Sequence, residues 1–421
     1  MEEKNQNSQT SLDFNSEKFE PRDEVEIQQI IKYCYKKNLP IEIVGNRTKI
    51  DIGKKLQCAK TLDMSKFSGI IDYKPEELYI TVKAGTSINI VREELKKNKQ
   101  HLAFEPVNFS KIFKKNLNDG TVGGTLSCNF SGSRRFKVGS ARDHILGFKG
   151  FNGKGETIKS GGTVVKNVTG YDLSKLVTGS FGTLIVLSEL TLKVLPLESD
   201  TKTIIISGLA LEHALGVMGS AIASSNDTSG AVFYPENLRN NFVFNDLTHP
   251  GSITAIRVEG TKLSTDQRVN NLTKELVLED KKLTILDSMQ SEIFWEDTRS
   301  LKPFSNSDKN ILRAVVPPSE TVNLINRLKT FHPNYFLDWG GSLIWLELDY
   351  LSNQKIDQIR ERILDTNGYL TVIKSPAQYE LSVTPVTRVG SKLALTLTET
   401  IFDVKFPHES GSLNIPSPFE S

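Results

Sequence analysis

A chain of 421 residues is too long for one hydrophobic core and predicts two or three domains. Its 52 Lys and Arg offset 50 Asp and Glu to a net charge of +2, so no global field selects nucleic acid or an anionic surface, and any ligand charge must be met locally. The three cysteines, Cys34, Cys58 and Cys128, form no CxxC pair, which excludes a zinc ribbon or an iron–sulfur cluster built from this chain alone.

Residues 1 to about 20 are polar and repetitive, with almost nothing apolar to bury, and read as a disordered tail. Order begins near Pro21, where Asp23 can cap a helix carrying Val25, Ile27, Ile30, Ile31 and Tyr35 at helical spacing. After Asn38-Leu39-Pro40, Ile41, Ile43 and Val44 form a short strand that ends at Gly45. Residues 78–85 read as another strand and 87–97 as a helix, giving a βαβ-like start. A glycine-rich region follows from about 119 to 182, in which Asn152-Gly153 supplies a hairpin turn. A β-rich exit, 184–195, stops at Pro196.

Beyond about residue 198 glycine thins out and a repeat of elements emerges. The first half reads as strand 203–206, helix 211–223, strands 231–234 and 252–259, helix 265–276 and strand 282–286. A helix around Phe294-Trp295 joins it to a second half: strand 311–316, helix 319–328, strands 335–338 and 342–348, helix 355–364 and strand 369–373. Each half has the β-α-β-β-α-β order of a ferredoxin-like unit. Two such units side by side predict one larger antiparallel sheet with helices on one face.

The chemistry concentrates in the glycine-rich region. Gly120-Thr121-Val122-Gly123-Gly124 allows backbone N–H groups to approach phosphate or flavin oxygens without side-chain bulk; a tight turn between core elements is the competing reading. Downstream stand Arg134-Arg135, Gly139-Ser140-Ala141-Arg142-Asp143, Asn152-Gly153-Lys154-Gly155-Glu156, Lys166-Asn167-Val168-Thr169-Gly170-Tyr171-Asp172-Leu173 and Gly179-Ser180-Phe181-Gly182-Thr183-Leu184. In that order these motifs resemble the PCMH-type FAD-binding domain of the vanillyl-alcohol oxidase superfamily. Within it they are most similar to glycolate oxidase subunits and bacterial D-lactate dehydrogenases. Glu105-Pro106 and the Arg134-Arg135 pair resemble the smaller FAD-binding subunits of bacterial glycolate oxidase in particular.

The resemblance implies an α+β fold: an FAD-binding domain of two α+β lobes over 21–198, then a substrate or cap domain of ferredoxin-like repeats over 199–400. Residues 1–20 and 401–421 form tails, the latter where relatives carry a flavin-facing segment that Phe402-Asp403-Val404-Lys405 only begins to match. It also implies roles. Gly45, Asn46, Arg47, Thr48 and Lys49 stand where relatives place a pyrophosphate loop. Thr121, Val122, Gly123 and Gly124 match the loop along the flavin, and Gly132, Gly139 and Asp143 the segment that wraps it. Tyr171 lies in a stretch near the cofactor, with Lys166, Asn167, Gly170 and Asp172, whose other reading is packing between lobes. Gly182, Thr183 and Leu184 match a returning strand on the adenine side. Binding is expected to be non-covalent, since the 45–49 loop holds neither His nor Cys, and Cys128 reads as a small buried thiol.

In the second domain, Trp295 and Arg299 echo a Trp-x-x-x-Arg pattern whose arginine holds a substrate carboxylate in related hydroxyacid dehydrogenases, a task suited to its planar fork. A solvated helix charge is the competing reading. Leu337-Asp338-Trp339-Gly340-Gly341-Ser342, with Trp345, reads as a hairpin at the sheet edge, and Arg313 carries less signal than either. The six histidines are scattered, without the His-rich signature by which catalytic relatives supply a metal and a base.

The expected protein is thus an FAD-binding oxidoreductase subunit that oxidises glycolate, a small 2-hydroxy acid, to glyoxylate. Its expected partners are a homologous catalytic FAD subunit and an iron–sulfur subunit, with no nucleic acid. A stand-alone FAD-dependent 2-hydroxyacid dehydrogenase and a structural flavoprotein without turnover are the alternatives. With no apolar run near the roughly 18–20 residues that span a bilayer, and no signal-peptide core, it is expected in the cytoplasm, peripheral to the inner membrane only through its complex.

Overall fold

The computed structural model describes residues 12–52, 58–113, 119–163, 171–241, 249–276, 282–305, 307–349 and 352–375. The first lobe contains β1 (Lys18–Phe19), α1 (Glu24–Lys36), β2 (Ile41–Val44) and β3 (Lys60–Asp63), with parallel pairing in the order β1-β3-β2. Asp23 accepts the Glu26 N–H and starts α1, which lays Ile27, Ile30, Ile31 and Cys34 against Phe19 and Leu62. The expected tail is therefore too long. Lys18–Phe19 is a strand, Phe19 is buried, and Phe14 stacks on Tyr33 at 4.5 Å. Two aromatics isolated in a polar run have no periodicity to betray them.

The second lobe holds β4 (Ile70–Lys74), β5 (Tyr79–Lys83), α2 (Ile88–Lys97), β6 (Gln100–His101), α3 (Val122–Cys128), α4 (Arg135–Val138), α5 (Ala141–His144), β7 (Ile145–Phe151), β8 (Thr157–Gly161), α6 (Leu173–Val177), β9 (Val186–Lys193) and β10 (Leu195–Pro196). Its antiparallel sheet runs β4-β5-β9-β7-β8, while β6 and β10 form a two-residue clasp. Ile80, Val82, Leu190 and Leu192 of the sheet bury against Ile88, Val91 and Leu95 of α2 and Val122 and Leu126 of α3. The lobes touch at Gly85. Its N–H donates to Phe67 O at 3.0 Å, and a Cβ there would lie 1.8 Å from Met64 O.

The second domain comprises β11 (Asp200–Ser207), α7 (Leu211–Ala223), β12 (Thr228–Tyr234), β13 (Ile253–Gly260), α8 (Lys262–Glu275), β14 (Leu283–Leu286), the connecting α9 (Ser288–Arg299), β15 (Asn310–Val315), α10 (Thr321–Leu328), β16 (Asn334–Asp338), β17 (Leu343–Leu348), α11 (Asn353–Leu364) and β18 (Tyr369–Lys374). The eight-stranded antiparallel sheet has the order β14-β11-β13-β12-β16-β17-β15-β18. Each repeat keeps the order fourth-first-third-second, and the two meet through their second strands, β12 and β16. The hairpin at 337–342 is consequently at the central seam, not at the edge expected for it.

Alternation along the strands divides the two faces. Leu312 and Ala314 face α7, α10 and α11, while Ile204, Ile206, Ile256 and Val258 face α8. Ile311, Tyr234, Phe336 and Trp345 face the other way, onto Phe294 and Trp295 of α9 and onto Val107, Phe109, Ile112 and Phe130 of the first domain. The two domains thus share one apolar core. The expected end of the second domain at residue 400 and the 401–421 tail lie outside the described residues.

Candidate functional site

The turn after β2 packs against the segment that leads into α3. Asn46 Nδ2 donates to Asp119 O at 3.1 Å, and a Cβ on Gly45 would stand 2.4 Å from Thr121 Oγ1. Thr48 is buried, Arg47 is exposed with φ 54°, and Lys49 directs its ammonium towards Gly120. The hydrogen-bond partner of Lys49 is Thr48 Oγ1, at a long 3.5 Å, and among the described residues no carboxylate lies within ion-pair reach. Burial lowers its pKa, opposed in part by Cys128 and Asp119. A sheltered cation without a counter-anion is costly, so this pocket of the fold suits a diphosphate. The residues fit the pyrophosphate of FAD.

The glycines of the next loop follow the competing reading, close packing between core elements. The N–H groups of Val122 and Gly123 donate to Thr86 O and Ala84 O at 2.8 Å, and those of Gly124 and Thr125 to Thr121 Oγ1 and Thr121 O. These amides are spent inside the protein. Gly123 is glycine because a Cβ would lie 2.9 Å from Ala84 O, so Thr121, Val122, Gly123 and Gly124 form a closely packed floor beneath the 45–49 loop.

The wrapping segment divides. Gly132 belongs to the domain seam: its carbonyl accepts the Trp339 indole N–H at 2.9 Å, and a Cβ would lie 2.6 Å from that of Glu105. Gly139, with φ 85°, closes over Asp143, whose carboxylate accepts both N–H and O–H of Ser140 at 2.8 and 2.9 Å. Burial would raise that carboxyl, but the Ser140 bonds outweigh it and hold it below the usual range. Gly182, φ 74°, approaches the Ile43 side chain of β2, bringing the returning segment towards the 45–49 loop. Leu184 is buried in the second-lobe core and the Thr183 hydroxyl donates to Ser180 O at 2.7 Å. Tyr171 stands apart, 77% exposed, while Asp172 caps α6. Lys166, Asn167 and Gly170 lie outside the described residues.

Between the domains opens a cleft of about 470 Å³, within the usual size of small-molecule sites. Cys128, Asn129, Arg135, Arg142, Asp143 and Phe181 line its first-domain wall, and Arg313, Tyr369 and Thr371 its second-domain wall. Cys128 is a free thiol pushed up to about 11 by burial. Arg313 is 4% exposed and stands over the rings of Phe130, Trp339 and Trp345, its guanidinium carbon 5.4, 5.0 and 5.9 Å from their centroids. Arg135 lies 4.6 Å from the same Trp339 ring. Sequence reasoning passed over Arg135 and Arg142, although both sit inside motifs it singled out.

Buried charge also locks the domains together. Glu105 accepts Arg134 Nη1 at 2.6 Å and Arg257 Nη1 at 2.9 Å; Arg134 reaches on to Glu259, and Arg257 lies 4.3 Å over Trp295. Burial raises both carboxyls, yet Arg134 and Arg257 overcome it, drawing Glu105 down to about 2 and Glu259 lower still. Beside them burial depresses His101 to about 4. Asp338 goes the other way: burial lifts it to about 7, against bonds from the Trp339 N–H and the Ser133 hydroxyl.

Arg299 belongs to this locking system. Its Nε and Nη2 donate to both oxygens of Glu296 at 2.9 and 2.6 Å, Nη1 donates to Pro106 O at 2.5 Å, and Asp119 lies 3.6 Å away. The bidentate bond that the resemblance implied for a substrate carboxylate goes to a carboxylate one turn earlier on the same helix. It is neither the solvated charge nor an open substrate anchor.

Residues 18–161 match the family described as FAD binding domain. The chain is 28% identical over 333 residues to glycolate oxidase subunit GlcE of Escherichia coli (strain K12), covering 79% of this chain and 81% of that protein. It is 29% identical over 194 residues to a D-lactate dehydrogenase of Anaerostipes hadrus, and 28% over 206 residues to glycolate oxidase subunit GlcD of Bacillus subtilis (strain 168); these cover 39% and 42% of those proteins. An alkyldihydroxyacetonephosphate synthase structure shares the fold, with a TM-score of 0.64 at 15% identity over 91% of this chain and 74% of its own. The chain therefore carries a PCMH-type FAD-binding domain, and is an FAD-dependent oxidoreductase related to the bacterial glycolate oxidase and D-lactate dehydrogenase family.

Proposed function

We propose that this chain is a flavoprotein subunit of a glycolate-oxidase-type complex, taking part in oxidation of glycolate to glyoxylate. The observation that carries the reading is the extent of similarity to GlcE. An alignment of 333 residues runs well past the FAD-binding domain into the second domain, whereas the D-lactate dehydrogenase and GlcD matches stop near 200 residues. Electrons leaving this flavin are assigned to a partner carrying an iron–sulfur centre. A homologous catalytic flavoprotein completes the assembly. No helix of the described residues is long and apolar enough to cross a membrane.

FAD, when bound, supplies a two-electron acceptor. Lys49 and the 45–49 loop hold its diphosphate, the floor from Thr121 to Gly124 fixes the loop above it, and the arginine-lined cleft receives the small acid. Arg299, Glu296 and the Glu105 network keep the two cleft walls in register.

Purified chain, loaded with FAD and mixed anaerobically with glycolate, tests the proposal. Loss of the oxidised-flavin absorbance only when the partner subunits are added is the expected result. Bleaching by the chain alone establishes the stand-alone dehydrogenase instead. A flavin never reduced, even in the active complex, leaves a structural role.

A further inference from the structure

We propose that the turn at 338–341 is a proton-operated latch that fastens the second domain to the first beside the interdomain cleft.

The turn closes β16 and grips the loop between α3 and α4. The Trp339 indole N–H donates to Gly132 O at 2.9 Å, and the Ser133 hydroxyl donates to Asp338 Oδ2 at 2.8 Å. The Arg135 guanidinium, which lines the cleft, lies 4.6 Å from the Trp339 ring. Consecutive residues of one domain thus hold consecutive residues of the other.

The grip is held under strain. Trp339 has φ 53°, left-handed backbone that a bulky side chain adopts at a cost. Gly340 and Gly341 follow at φ 64° and 103°, conformations open to glycine. Asp338 fastens this backbone, because its Oδ1 accepts the Trp339 N–H at 2.7 Å. One carboxyl therefore ties the strained turn to itself through one oxygen and to the opposite domain through the other. Both residues are buried, Asp338 at 4% and Trp339 at 5% exposure.

A carboxyl so placed responds to pH. Glu105 and Arg257 face it across the seam, Arg313 from β15 and Tyr234 from β12. Burial outweighs the Trp339 and Ser133 bonds and the facing arginines, and lifts the group from 3.8 to about 7. Arg134 and Glu259 alongside are paired with each other, and His101 is depressed to about 4 and carries no proton near neutrality. Opening the seam would hydrate Asp338 and return it towards its ordinary value. The closed seam accordingly binds the proton more tightly than the open one. Closure is favoured below about 7 and loosens as pH rises through about 7. On the alkaline side the carboxylate gains hydration and the Trp339 backbone relaxes, and both draw the indole away from Gly132 and Arg135.

Tryptophan emission of the FAD-loaded full chain, titrated from about pH 5.5 to 8.5, reads the latch. A one-proton transition centred near 7 is expected, with emission shifting to the red and acrylamide quenching rising on the alkaline side. Trp339→Phe should remove the transition while Trp295 and Trp345 still emit. Asp338→Asn should hold the closed signal flat across the range. Ser133→Ala deletes a bond to the ionised form and should move the midpoint up by about one pH unit. It leaves the strands untouched and carries the test where Asp338→Asn fails to fold. Emission without a transition in wild type overturns the proposal. So does a transition that survives Asp338→Asn or keeps its midpoint in Ser133→Ala. None of these readings depends on what the cleft binds or on which acid is oxidised.

Discussion

Glu105→Gln removes one of the two carboxylates that neutralise Arg134 and Arg257 across the domain seam. The wild-type side chain accepts from Arg134 Nη1 at 2.6 Å, Arg257 Nη1 at 2.9 Å, Arg257 Nη2 at 3.3 Å and the Arg134 backbone N–H at 2.8 Å. Its carboxyl falls from an ordinary 4.5 to about 2 even though burial pushes it upward, which corresponds to about 3 kcal/mol of stabilisation at neutral pH. Breaking a buried ion pair from one side costs about 3–5 kcal/mol, in agreement. The amide keeps one acceptor oxygen but turns an N–H₂ towards a guanidinium, so about 3–4 kcal/mol is the expected loss. For domains of this size that lowers Tm by about 6–15 °C. Scanning calorimetry of the FAD-saturated protein at neutral pH measures it. The sign of the pH dependence is fixed: a depressed carboxyl stabilises fully above its unfolded value and ceases to do so as pH falls towards about 2. The wild-type advantage must therefore shrink in acid. A variant melting within about 2 °C of wild type at neutral pH, or a gap that stays constant down to about pH 3, refutes the argument.

Asp338→Asn tests the opposite case: a carboxyl raised from 3.8 to about 7 stabilises below its unfolded value and loses that contribution as pH rises through about 7. The variant should gain on wild type as pH rises from about 4 to about 7, by at most about 4 kcal/mol in total, and melting-temperature differences that do not change with pH contradict it. Gly85→Ala drives a Cβ into Met64 O and Phe67 O, both rigid backbone, and should destabilise by about 3 kcal/mol or more; an unchanged Tm would mean the lobes can separate freely. Lys49→Met removes the ammonium assigned to the diphosphate and should raise the FAD Kd about 10- to 100-fold, read by flavin fluorescence. A Kd within about twofold of wild type would move the diphosphate elsewhere.

Local pattern was enough to read most single elements. Helical spacing of Ile27, Ile30 and Ile31 behind an Asp23 cap marks α1, and the alternating repeats beyond residue 200 predict both ferredoxin-like units and the antiparallel sheet they share. The ordered glycine motifs also carried the resemblance that implied an FAD-binding domain. What the folded chain alone decided are the meetings between distant residues. Arg299 carries no mark in its own segment that the Pro106 carbonyl accepts its third donor, and the 120–124 segment does not announce that the amides of Gly123 and Val122 are spent on Ala84 and Thr86. The quartet of Glu105, Arg134, Arg257 and Glu259, and the ring cage that Phe130, Trp339 and Trp345 build around Arg313, assemble from both domains. Periodicity reports which face of one element is apolar; which buried charge finds a counter-charge is settled only when two faces close on each other.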